Sequence, residues 1–204
     1  MKNIKIKNLN IQYQDLIVLQ NFNASFGKGI HWIQGLNGSG KSSLLKSLCG
    51  IVPVTNNVVS IMGYDLNTQA IKAKSQLCFV ADKPEVYPFM SGIGFLKLLA
   101  RIKGVKLSDE LFKFMDAINL TPYKDINFSE MSFGTRRKFT LCSVFIGNPQ
   151  VILLDEPFNG LDKTTTELFR LWLLKARNEK CLLIVSHDTH MLDNIHKNII
   201  VLDD

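Results

Sequence analysis

Gly35-Leu36-Asn37-Gly38-Ser39-Gly40-Lys41-Ser42-Ser43 is the stretch on which the reading of this chain turns. It matches the phosphate-binding pattern G-x-x-x-x-G-K-[ST]. Gly35, Gly38 and Gly40 let the backbone turn tightly, so that its N–H groups approach phosphate oxygens without Cβ collisions. Those N–H groups form an anion-binding nest, to which the following helix adds its positive end. Lys41 supplies a mobile charge for the outer phosphates, and the Ser42 hydroxyl is placed to ligate Mg2+.

The flanks supply the context the pattern requires. Gly29 to Gln34 reads as a strand entering the loop, and Leu44, Leu45 and Leu48 fall on one face of a helix leaving it. Gly50 suits the helix C-terminus, with Pro53 soon after. Upstream, residues 4–11 alternate apolar with polar and predict a half-wet strand. Tyr13 is expected in a short turn, and Val18 to Phe26 in a second strand. Downstream, Val58 to Met62 and Gln76 to Val80 read as short strands.

The character changes after Asp82. Residues 91–148 contain no strand of comparable strength. Phe95, Leu98, Leu99 and Ile102 have helical spacing, as do Leu111, Phe114, Met115 and Ile118, and a third helix is expected over 135–146. Val151 to Leu154 and Cys181 to Val185 are continuous apolar runs, the pattern of parallel strands covered on both faces. Between them, Thr164 and Glu167 suggest a capping box opening a helix that runs to about Arg177. Ile199 to Leu202 closes the series. The fold class is therefore α/β: a mostly parallel core, an N-terminal antiparallel β region and a helical insertion.

The run Val151-Ile152-Leu153-Leu154-Asp155-Glu156 delivers two carboxylates from the end of a buried strand, where an open α/β sheet places its ligands. Asp155 suits Mg2+, and Glu156 suits a general base that polarises attacking water. With the glycine loop, this describes a nucleoside triphosphatase.

Composition adds bounds. At 46% hydrophobic and 21% charged, the 204 residues suit one large domain or two closely packed subdomains. Lys+Arg 24 against Asp+Glu 18 gives a net charge of +6. The basic residues come in short groups such as Arg136-Arg137-Lys138, read as solvated surface rather than a nucleic-acid groove. Cys49, Cys78, Cys142 and Cys181 lie in apolar segments without metal-ligand spacing, as buried reduced thiols of a cytosolic protein would. His190 and His196 are read as surface residues. No signal peptide is visible, and no apolar run approaches the roughly 20 residues of a membrane helix.

Together these motifs resemble the ATP-binding cassette (ABC) ATPases, specifically the nucleotide-binding subunits of ABC transporters. The resemblance covers essentially the whole chain, because the family's markers occur in its order. Tyr13 sits where the family stacks an aromatic ring on adenine. Gly35 to Ser42 is similar to its Walker A loop. Asp82 sits where it usually has the glutamine of its Q-loop, and would share the Mg2+ with Ser42 and Asp155. Met131-Ser132-Phe133-Gly134-Thr135 sits where it has Leu-Ser-Gly-Gly-Gln, with Ser132 and Gly134 as the phosphate-facing pair. Asp155-Glu156 is similar to its Walker B acid and catalytic glutamate, Asn159-Gly160-Leu161-Asp162 to its D-loop, and His187 to its switch histidine. Phe133, Thr135 and Asp82 depart from the common pattern, in a way that resembles bacterial exporters more than importers.

The resemblance implies one ABC ATPase domain over 1–204, with a RecA-like and β core in 1–82 and 149–204 and a helical signature subdomain in 83–148. It implies that ATP binds at Tyr13, Gly35, Leu36, Asn37, Gly38, Ser39, Gly40, Lys41, Ser42, Ser43 and Asp82, with Ser132 and Gly134 serving the ATP of a second subunit. Lys41, Glu156 and His187 would be the catalytic side chains. Implied partners are an integral membrane permease and a second nucleotide-binding subunit, identical or paralogous, with no nucleic acid expected. The implied location is peripheral, on the cytoplasmic face of the membrane, where Tyr87-Pro88-Phe89-Met90 and Phe95 would form the groove for the permease. The alternatives are a soluble cassette acting on nucleic acid or ribosomes, whose relatives carry long coiled-coil insertions or fused cassettes, and a P-loop kinase or GTPase with a different base.

Overall fold

A computed structural model describes residues 2–14, 16–83, 85–187 and 197–202. Two sheets organise it. The first is antiparallel, in the order β2-β1-β4-β5, from β1 (Ile4–Tyr13), β2 (Leu16–Phe26), β4 (Val59–Ile61) and β5 (Tyr64–Asp65). The second is parallel, in the order β6-β7-β8-β3-β9, from β3 (Gly29–Gly35), β6 (Leu77–Val80), β7 (Val151–Asp155), β8 (Cys181–Val185) and β9 (Asn198–Leu202).

The side-chain period of two explains the continuous apolar runs. Along β7, Ile152 and Leu154 face one core while Val151 and Leu153 face the other, and along β8 Leu182 and Ile184 oppose Leu183 and Val185. Every residue of both strands is buried. Each such aliphatic side chain contributes about 1.5–3 kcal/mol, so truncating Leu153 to alanine costs about 2–5 kcal/mol. The first core is filled from α3 (Gly92–Ile102), α4 (Asp109–Ala117), α5 (Phe133–Leu141) and α6 (Lys163–Ala176). The second is filled from the antiparallel sheet and α1 (Lys41–Leu48), joined by Ala73 of α2 (Ala70–Ser75).

Between Lys83 and Gln150, the described residues contain helices and 3-10 turns, with a single isolated bridge, Ser91–Asn127, as their only β pairing. Serines head three of these helices. The Ser91, Ser108 and Ser132 side chains accept from Gly94 N, Leu111 N and Thr135 N at their helix starts. All four cysteines are free and buried. Burial pushes the Cys49 and Cys181 thiols up, to about 11 and about 12, which makes them poor nucleophiles.

Several local expectations are corrected. Tyr13 ends β1 rather than lying in a turn. The cap of α6 is Asp162, whose Oδ1 accepts from Thr165 N at 2.9 Å. Thr164 therefore lies inside the helix, and Glu167 pairs with Arg170 at 2.9 Å. An aspartate two residues earlier outcompetes threonine because its carboxylate also suits the positive helix end. The helix expected over 135–146 begins at Phe133 and tightens into a 3-10 turn at Cys142–Phe145. Short α2 and β5, with too few residues to show a period, were not anticipated. The expectations for His190 and His196 lie outside the described residues.

Candidate functional site

The ends of β3 and β7 lead into the two motifs found in the sequence. After β3 the chain turns at Gly38 and Gly40, and α1 begins at Lys41. Gly40 has φ +88°, and a Cβ there would lie 2.5 Å from Val18 Cγ1, so only glycine fits the turn. The Lys41 ammonium folds back on the loop, donating to the carbonyls of Gly35 (2.9 Å) and Leu36 (2.6 Å). Ser42 Oγ donates to Asp155 Oδ1 at 3.1 Å, joining the loop to the end of β7. Tyr13 reaches over from β1, its hydroxyl 3.3 Å from Ser43 Oγ.

The acids differ in what holds them. Burial raises the Asp155 carboxyl above its ordinary value; the Ser42 hydroxyl works against this and neighbouring Asp82 adds to it. Burial likewise raises Glu156, against the pull of the His187 N–H. Both Glu156 oxygens accept from that N–H (3.0 and 3.2 Å), and Oε2 also accepts from Ser186 Oγ at 3.2 Å. The His187 ring stands 3.7 Å from Glu156 Oε1. A glutamate held in one orientation, with a raised pKa, is suited to take a proton from water. Asp82 Oδ1 accepts from Asn159 Nδ2 at 3.1 Å.

These groups line one cleft of about 1040 Å³, which contains Tyr13, Asn37, Gly38, Gly40, Lys41, Ser42, Ser43, Asp82, Asp155, Glu156 and His187. Five residues expected to contact nucleotide do not line it: Gly35, Leu36, Ser39, Ser132 and Gly134. Leu36 is exposed, and the Ser39 hydroxyl is buried without a partner. Ser132 and Gly134 begin α5, where the Ser132 hydroxyl caps Thr135 N at 3.2 Å and lies 2.9 Å from Thr135 Oγ1.

The start of α5 packs instead on the turn after β7. Gly160 has φ +73°, and a Cβ on it would lie 2.4 Å from the Phe133 ring. Lys138 pairs with Asp162 at 2.6 Å. Although its partial burial works the other way, the Lys138 ammonium and the Thr165 N–H pull Asp162 down to about 2.

One residue was misread in the sequence. Arg137 is fully buried, not solvated surface. Its guanidinium donates to the backbone carbonyls of Ala81, Asp155 (2.9 Å) and Glu156 (2.6 Å). Nothing local marks it, because a buried arginine inside a basic triplet looks like its exposed neighbours. No group of three or more His, Cys, Asp or Glu residues suited to a metal occurs among the described residues.

Comparison with known proteins agrees with this geometry. The family model described as "ABC transporter" matches residues 19–159. The chain is 26% identical over 184 residues to the uncharacterized ABC transporter ATP-binding protein YybJ of Bacillus subtilis, covering 90% of this chain and 84% of that one. It is 26% identical to the bacitracin transport ATP-binding protein BcrA of Enterococcus faecalis, covering 95% of this chain and 63% of that one. A solved ATP-binding subunit of an ABC transporter superposes with a TM-score of 0.87 at 21% identity, covering 97% of this chain and 85% of that one. A dimeric bacterial ABC transporter cassette superposes with a TM-score of 0.83 at 21% identity, covering 98% and 94%. A glycine loop of the phosphate-binding pattern, an acid beside it and a family match spanning both lead to one conclusion: this chain belongs to the ABC transporter family, as an ATP-binding and ATP-hydrolysing cassette.

Proposed function

We propose that this cassette works as one half of a head-to-tail pair that powers substrate movement through a separate integral membrane permease. The carrying observation is where Ser132 and Gly134 stand. They present a hydroxyl and a helix N-terminus outside the cleft that holds Lys41 and Glu156. A phosphate reaching them is therefore one held by another copy or a paralogue.

In this reading Tyr13 packs on the adenine, and the loop from Gly35 to Ser43 cradles the phosphates. Lys41 neutralises the outer phosphates, Glu156 takes the proton of the attacking water, and His187 holds the γ-phosphate in line. The hydroxyl of Ser42 and the carboxylates of Asp155 and Asp82 are hard oxygen donors of the kind Mg2+ prefers alongside phosphate oxygens. The 3.1 Å Ser42–Asp155 contact brings two of them to one spot. The bound ion would neutralise charge on the phosphates.

Residues 1–82 and 149–204 serve as the core, and 83–148 as the helical subdomain that meets the permease. Tyr87 and Phe89 are exposed there, their rings 5.6 Å apart, while Met90 and Phe95 pack partly into the core. The cassette sits peripherally on the cytoplasmic face. No helix among the described residues is long and apolar enough to cross a membrane, in keeping with a pore supplied by another chain.

The test is Glu156→Gln. It keeps the shape of the side chain and removes the base, so hydrolysis should fall about 10²–10⁴-fold while ATP still binds and drives a stable dimer, seen by light scattering. Adding Ser132→Arg should abolish that dimer. Hydrolysis at the parent rate by Glu156→Gln removes the base assignment, and an ATP-driven dimer that survives Ser132→Arg removes the shared site.

A further inference from the structure

Glu156 carries an unusual backbone. Its φ is +47°, in the left-handed region where a residue with a Cβ is strained. It therefore persists only where its surroundings over-determine it. Its own N–H is tied to Val185 O at 2.8 Å, and its carbonyl accepts from Asn159 N at 3.1 Å.

The third tie is Arg137. A single nitrogen, Nη2, bridges the carbonyls of Asp155 and Glu156, the two peptide groups that flank the Glu156 Cα. Bridging both fixes the dihedral pair at that residue. The other terminal nitrogen, Nη1, donates to the carbonyl of Ala81, immediately before Asp82. One rigid, planar group thus sets the backbone on which three acids are mounted.

The charge is placed with equal economy. Asp82, Asp155 and Glu156 are the acids that act on Arg137. Yet all three of its hydrogen bonds go to backbone carbonyls, and no ion pair joins it to a carboxylate among the described residues. The guanidinium sits behind the acids, favouring the ionised form of Asp155 without occupying carboxylate oxygens.

We infer that Arg137 is a positioning residue for hydrolysis, acting through Glu156 and tying the serine-headed helix α5 to the Asp82 loop. This rests on Glu156 being the base, and the experiment separates the two claims. Arg137→Lys keeps the charge but cannot bridge two carbonyls while reaching a third. In the full chain with Mg2+ and ATP, kcat should fall at least about tenfold, because small displacements of a catalytic group cost that much. ATP affinity, read by equilibrium binding, should stay within about threefold. Arg137→Met, lacking both charge and fork, should be slower still at unchanged affinity; if it does not fold, Arg137→Lys alone decides.

The double variant Arg137→Lys/Glu156→Gln should hydrolyse no more slowly than Glu156→Gln alone, since a residue acting through another adds nothing once that other is gone. Full additivity of the two losses overturns the inference. So does unchanged kcat in Arg137→Lys, or a fall in ATP affinity equal to the fall in kcat. Parent-rate hydrolysis by Glu156→Gln removes the base assignment instead, whatever Arg137→Lys does.

Discussion

Gly160→Ala is the substitution whose cost can be worked from the coordinates. Gly160 has φ +73°, and its added Cβ would lie 2.4 Å from Cε1 and 2.8 Å from Cδ1 of Phe133. Ordinary carbon contacts are about 3.5–4.0 Å, so the ring must retreat by about 1 Å or more. The left-handed conformation costs alanine about 1 kcal/mol. Phe133 is 46% exposed, so displacing it forfeits about half of a phenylalanine's burial, another ~1 kcal/mol. The sum, about 2 kcal/mol, should lower the Tm of a chain this size by about 4–8 °C. With Phe133→Ala already present, only the backbone part remains, and the same change should cost about 2–4 °C. Thermal unfolding of the parent, both single variants and the double, without nucleotide so that mass action does not mask the difference, is the measurement. Equal falls in the two backgrounds would refute the packing of the α5 start on this turn.

Three further outcomes are expected. Lys41→Ala removes a charge from the outer phosphates and should weaken ATP binding about tenfold by isothermal titration, the low end for a charge-assisted hydrogen bond because the ammonium gives up the Gly35 and Leu36 carbonyls to make it. Phe89→Asp places a charge on an exposed ring site and should leave basal hydrolysis unchanged while abolishing transport in reconstituted vesicles; loss of folding and hydrolysis together would mean that Phe89 belongs to the core. Because burial raises Glu156 above its ordinary value of 4.5, its base form is lost while pH is still above that range. The acid limb of a kcat/KM profile, which reports the free cassette, should therefore lie above pH ~4.5, and a limb at or below it contradicts the assignment.

What could be read in the sequence was what the chain decides locally. Glycines at 35, 38 and 40 before Lys41 need no distant partner to specify a turn, and the apolar runs at 151–154 and 181–185 declare burial on both faces by leaving no polar side. Arg137 could not be read, because its meaning depends on carbonyls at Ala81, Asp155 and Glu156 that only the tertiary fold brings to it. The cap of α6 was misassigned for a different reason: Thr164 and Asp162 both satisfy a local pattern, and Asp162 wins because its carboxylate also suits the positive helix end. The antiparallel sheet was legible as strands but not as pairings. Asn8, at φ +50°, sits in a register shift of β1 against β2 that alternation alone does not reveal.

The lysine of the glycine loop rests on oxygen atoms of its own strand end, Gly35 and Leu36. An arriving triphosphate must therefore win the ammonium from the backbone, and what a titration measures is the difference between two bonded arrangements, not the worth of one. The same exchange runs backwards after hydrolysis, when the departing phosphate leaves the cation to a partner already within reach. The loop is in this sense a latch with two seats, and turnover gains from the second seat what affinity gives up to it.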